Sequence, residues 1–151
     1  MKRNHTIWLI TLILFVGIST AQALGQSNIS TADSLYELGI YHYSIDTAEL
    51  SALTLEKAAK LYLLEGDSVG WVKAKIKLAK SLSTGTDRHL STEILSELES
   101  LPLSNENRIA LVMTKGYVQY HQFNYQKSIV FYEEALKLAR QQKDSLYIAL
   151  C

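Results

Sequence analysis

Apolar positions in this chain recur at steps of three and four. Leu55, Ala58, Ala59 and Tyr62 form one stripe, Ile94, Leu95, Leu98 and Leu101 a second, and Phe131, Ala135 and Leu138 a third. Each stripe covers one face of a helix and needs a neighbour to bury it. No stretch alternates apolar and polar residues with β-branched enrichment, so strands are not expected. Polar punctuation sets the helix ends. Ser30 to Asp33 opens a helix that runs to about Ser44. Asp46-Thr47-Ala48-Glu49 reads as a capping box and opens a second helix, to about Leu64. Gly66 suits a left-handed stop, and Asp67 or Ser68 caps a third helix to about Leu82. After Ser83 to Asp87 a fourth helix runs to Leu101, where Pro102 forbids continuation. Ser104 opens a fifth helix to about Gln122, Asn124 a sixth to about Gln142, and Lys143-Asp144-Ser145 a seventh. The breaks are short, which predicts antiparallel helix hairpins.

A second pattern lies over the first. A small residue (Gly39, Ala79, Gly116) is followed twelve positions later by serine (Ser51, Ser91, Ser128). Next come a large residue (Leu55, Leu95, Tyr132) and then another apolar one (Ala58, Leu98, Ala135). Recurrence about every 37 to 40 residues is a repeat-array period. Two helices cross closely only where one contact point is small, and the large residue fills the adjoining space. Leu98 stands where the other two units have alanine, which predicts a wider or shifted middle hairpin.

These hairpins resemble the tetratricopeptide repeat family. Residues Gly116 to Ala135 carry the likeness best, with Gly116 on one helix and Ser128, Tyr132 and Ala135 on the next. Leu35, Leu38, Gly39 and Ala58 fit the first unit, while Ala79 and Leu98 make the middle unit degenerate. Lys115 and Phe123 depart from residues that the family prefers. The resemblance implies an all-α, right-handed α-solenoid of three hairpins, at about 31–64, 68–101 and 104–142. A fourth begins at 143–151. It also implies a concave groove lined by Tyr36, Tyr43, Lys73, Lys80, Tyr117, Tyr120 and His121, a surface suited to a peptide or protein.

The first residues change the picture. Lys2 and Arg3 precede an apolar run from Ile7 to Ile18, and Ala21-Gln22-Ala23 follows with small residues at the A-x-A positions. This reads as a secretory signal peptide over 1–23 with a polar leader over 24–30, so the expectation is an exported, periplasmic or secreted chain. The run is shorter than the roughly 20 apolar residues of a spanning helix. Membrane attachment is expected only through an uncleaved signal or a later segment. Leu146, Ile148, Ala149 and Leu150 leave an apolar face at the far end. A polar face is the norm for a terminal repeat, so we expect the array to continue past Cys151.

Composition narrows the function. Over 151 residues the chain is 48% hydrophobic and 20% charged, with net charge zero and one proline. No basic stripe exists to neutralise phosphates, which argues against nucleic-acid binding. Cys151 is the lone cysteine, which excludes an internal disulfide and a cysteine-rich metal site. His42, His89 and His121 lack metal-ligand spacing. The glycines are isolated, so no phosphate loop is present, and no motif assembles a catalytic triad. The expectation is a scaffold without catalysis, cofactor or metal that binds a protein or peptide. The alternative implied by the resemblance is the extracytoplasmic input region of a membrane-anchored histidine kinase or transcription regulator.

Overall fold

The computed structural model describes residues 30–85 and 87–151; the expected signal peptide and all of the expected leader but Ser30 lie outside them. The chain divides into two units, residues 1–31, described only at Ser30 and Thr31, and residues 32–151. The described residues are all-helical, without strands. The helices are α1 (Thr31–Ser44), α2 (Ala48–Glu65), α3 (Ser68–Thr84), α4 (Arg88–Glu99), α5 (Asn105–His121), α6 (Tyr125–Gln142) and α7 (Ser145–Leu150).

Consecutive helices pack on one another, and α3 also packs on α5. Specific bonds fix the direction of each pair. In α1 and α2, Ser51 meets Gly39 while Tyr62 meets Asp33. In α3 and α4, Ser91 meets Ala79 while Lys75 meets Glu97. In α5 and α6, Ser128 meets Gly116 while Asn105 meets Gln142. The later residue on one helix always meets the earlier on the other, so all three pairs run antiparallel.

The recurring sequence triplet becomes one recurring contact. Ser51 Oγ donates to the Gly39 carbonyl at 2.8 Å, Ser91 Oγ to the Ala79 carbonyl at 2.6 Å, and Ser128 Oγ to the Gly116 carbonyl at 2.8 Å. All three serines are buried. A buried hydroxyl without a partner is costly, so serine is tolerated here only because a carbonyl lies within reach. That reach requires a close crossing. A Cβ added at Gly39 would sit 2.6 Å from Leu55 Cγ, and one at Gly116 would sit 3.3 Å from Tyr132 Cδ1 and Phe131 Cβ. Ser51 also links hairpins, since its Oγ lies 2.8 Å from Ser81 Oγ on α3. Its one proton goes to the Gly39 carbonyl, so Ser81 is the donor in that pair.

Above and below the crossings the core is aliphatic. Leu55, Val72, Ile76, Ile94, Leu95, Leu98, Leu111 and Val118 share one cluster, and Ala32, Ala58, Ala59, Tyr62 and Ala74 a second. Leu98, in place of alanine, is fully buried in the first of these. Ala135 is fully buried on α6.

The turns differ from expectation in three places. Asp46 takes φ 61°, ending α1, and passes the N-cap of α2 to Thr47. Glu49 is then one residue short of the capping-box position, and Thr47 Oγ1 instead donates to the His42 carbonyl at 2.7 Å. The fourth helix stops at Glu99 rather than Leu101. Pro102 disfavours the α conformation at Leu101, and the chain leaves through tight bonds from Ser100 N to Glu97 O and from Leu101 N to Leu98 O. Phe123 also takes a left-handed φ of 62°. Its turn copies that at Asp46: Asp46 N and Thr47 N bond Tyr43 O and His42 O, while Phe123 N and Asn124 N bond Tyr120 O and Gln119 O. Gly66 and Lys143 form another matching pair, at φ 74° and 56°. Asp67 then caps α3 at Gly70 N, as Asp144 caps α7 at Leu146 N and Tyr147 N.

Two sets of urea unfolding measurements check this account. Ser91→Ala should cost about 1 kcal/mol, the usual net worth of one buried hydrogen bond. Ser51→Ala should cost more, because it also strips Ser81 of its acceptor, and this excess should vanish in a Ser81→Ala background. Equal losses at Ser51 and Ser91 would refute the shared bond. Left-handed backbone costs an L-residue roughly 1–2 kcal/mol, so Lys143→Gly should stabilise the chain by about 1 kcal/mol, while Gly66→Ala should destabilise it similarly.

Candidate functional site

Antiparallel pairing brings one residue each of α1, α3 and α5 to a common point. Tyr43 lies in the last turn of α1, Lys80 late on α3, and Tyr117 late on α5. The Tyr43 and Tyr117 hydroxyls share a hydrogen bond of 2.5 Å. The Lys80 ammonium lies 5.2 Å from the Tyr43 ring centroid and 4.7 Å from that of Tyr117. Both distances fall inside the range of a cation–π contact, worth about 0.5–2 kcal/mol depending on desolvation. The result is a brace from the first hairpin to the third, with the cation of the second held against both rings.

The aromatic cluster continues outward. Tyr117 meets His121 at 4.4 Å between ring centroids, His121 meets Tyr120 edge-on at 5.4 Å, and Tyr120 meets Tyr125 at 5.5 Å. Phe123, 71% exposed, completes it against Tyr125. Arg88 Nη1 bonds the His121 carbonyl at 3.3 Å.

Of the seven expected groove residues, the structure thus gathers Tyr43, Lys80, Tyr117, Tyr120 and His121. The other two stand apart. Tyr36 packs edge-on to Tyr62 at 6.4 Å against both apolar clusters, so its ring serves packing. Lys73 is paired with Glu106 at 3.7 Å. Beside the brace, α3, α5 and α7 border a half-open cavity of about 470 Å³. Its lining includes Lys77 and Tyr147, which were not among the expected residues. Lys77 had a signal in the sequence, since Lys73, Lys77 and Lys80 share one helix face at steps of four and three. Tyr147 had none, because its place depends on how α7 turns back. Tyr132, expected only as a packing residue, is half-buried: one side meets Gly116, and it also lines this cavity.

Electrostatics follow from the crowding. Burial, then the Lys77 charge, holds the Lys80 ammonium below the usual lysine range. Burial lowers Lys77 too, against a raising influence from Glu37. His121 is lowered by burial, then by Arg88 and Lys80. Burial and the bond to Tyr117 push Tyr43 up, and burial and the bond to Asp33 do the same for Tyr62. Tyr36 is pushed up to about 12 by burial, Glu37, Tyr147 and Glu106. The described residues hold no cluster of three or more metal-ligating side chains, and no helix among them is long and apolar enough to cross a membrane. Compared with known proteins, the chain matches no family model, no curated protein and no solved structure.

The tyrosines predict the response to alkali. Their folded pKa values lie above the usual 10.0. The unfolded chain therefore ionises first, so their stabilisation is complete below about pH 10 and is lost as pH rises through 12. Lys77 and Lys80 act in the opposite sense near the same pH, but the tyrosine shifts are larger. The thermal midpoint should fall between about pH 10 and 12, and Tyr62→Phe should remove part of the fall. A flat profile over that window would contradict the packing of these rings. At neutral pH, Tyr43→Phe and Tyr117→Phe should each cost about 1 kcal/mol, and the double variant little more than either.

Proposed function

We propose that this chain is a right-handed, tetratricopeptide-like α-solenoid that works by holding a protein or peptide, without chemistry of its own. The observation that carries the reading is the gathering of Tyr43, Lys80 and Tyr117, one from the first helix of each hairpin, onto a single face. Tyrosine rings are among the side chains that dominate the energetics of protein contacts. The three serine-to-carbonyl crossings support the repeat reading, because one local solution is used in each hairpin. The state of the polar groups supports holding over catalysis. The Tyr43 and Tyr117 hydroxyls bond each other, and burial keeps Tyr43 protonated, so Tyr43 is not poised as a base. The apolar run and A-x-A residues ahead of the array support export.

Site-specific photo-cross-linking in the native compartment tests the proposal. A photoreactive side chain at Tyr120, beside the brace, should trap a defined partner, whereas one at Lys60 on α2 should not. Lys80→Glu should abolish the Tyr120 adduct, with the thermal midpoint used to confirm that the chain still folds. Equal trapping from both faces, or an adduct indifferent to Lys80→Glu in a folded chain, would sink the reading. Tyr117→Ala and Tyr120→Ala separate the roles of the rings: loss of folding marks a structural ring, and loss of the adduct alone marks a binding one.

A further inference from the structure

The cavity between α3, α5 and α7 has a chemistry of its own. Lys77 and Lys80 are the charged side chains in its lining. Neither makes an ion pair among the described residues, although Glu37 acts on Lys77 from beyond contact distance. Their neighbours behave otherwise. Lys73 has Glu106, Lys75 has Glu97, and Lys115 has Glu99. Among the four lysines of α3, the two without carboxylate partners are therefore the two that face the cavity. Holding two cations near each other against apolar walls is unfavourable unless an anion offsets them. Apart from Thr114 and Cys151, the rest of the lining is apolar or aromatic, with Ile76, Met113, Leu146 and Leu150 alongside the Tyr117, Tyr132 and Tyr147 rings.

The cavity is also bounded. Tyr117 forms part of its wall and is tied through its hydroxyl to Tyr43, while Lys80 lies against both rings. That wall cannot swing aside without breaking the brace. A volume of about 470 Å³ lies within the range of small-molecule sites, roughly 300–1,000 Å³. From these features we infer that the cavity is a binding site for a small organic acid, one carboxylate on an apolar acyl or aryl body. The carboxylate is held between Lys77 and Lys80, and the body lies against the rings and aliphatic side chains. This function is separate from any protein partner on the same face.

Calorimetric titration of the whole chain with octanoate and 3-phenylpropionate tests the assignment. Each acid should bind saturably. Its neutral amide should bind at least about tenfold more weakly, as loss of a charge-assisted contact implies. Lys77→Gln and Lys80→Gln should each weaken the acid by about tenfold, and Lys57→Gln on α2 should change nothing. Lys77 takes no part in the brace, so its variant should fold even if Lys80→Gln loosens it. Amides binding as well as acids, Lys77→Gln binding like the parent, or no saturation at millimolar acid would each overturn the inference. A tripeptide ending in phenylalanine separates a peptide end from a free acid. Tighter binding of its free-carboxylate form than of 3-phenylpropionate, lost on amidation, would assign the site to a peptide terminus and overturn the small-acid assignment while leaving the scaffold reading intact.

Discussion

Everything in this array depends on two helices approaching closely at one point, where a serine hydroxyl reaches the carbonyl of a small residue on its partner. The two halves of that contact need each other. Without the small residue the helices cannot come near enough for the hydroxyl to reach, as the 2.6 Å clash of a Cβ at Gly39 with Leu55 shows. Without the carbonyl, a serine at 0% exposure would carry an unmet hydroxyl into the core. The large residue that follows, Leu55 or Leu95, then fills the space beside the crossing.

Much of this was legible in the chain itself. Helix periodicity, punctuation at Gly66, Asp67, Pro102 and Ser104, and the spacing of small residue to serine all have local physical causes, and the helices and crossings follow from them. The misread features depend on competition between local options. Whether Asp46 caps a helix or ends one is decided by a left-handed φ that aspartate tolerates, and its neighbour Thr47 serves as the N-cap once Asp46 has ended α1. Phe123 is a stronger case. Nothing in a bulky aromatic announces positive φ, and the conformation is set by the bonds that close α5.

The candidate site was legible only in part, for a related reason. Tyr43, Lys80 and Tyr117 could be placed on first helices, but their meeting at one point depends on the pitch between hairpins, which no single helix encodes. Tyr36 shows the converse. It lies on a first helix, yet the ring of Tyr62 and the bulk of both apolar clusters claim it. Lys77 shares a helix face with Lys73 and Lys80, and what sets it and Lys80 apart from Lys73 is the absence of a carboxylate within contact distance, a property of the folded surroundings.

In a linear stack of hairpins each member ordinarily touches only those beside it, so energy is shared between adjacent members and the ends fray first. The hydroxyl bond between Tyr43 and Tyr117 departs from that arrangement by joining the first hairpin directly to the third. Peeling α1 away therefore disturbs α5, two hairpins along, and the cooperative length of the assembly extends to three hairpins. The same bond also ties the last turn of α1 to the late part of α5, so any motion that parts these two helices must break it.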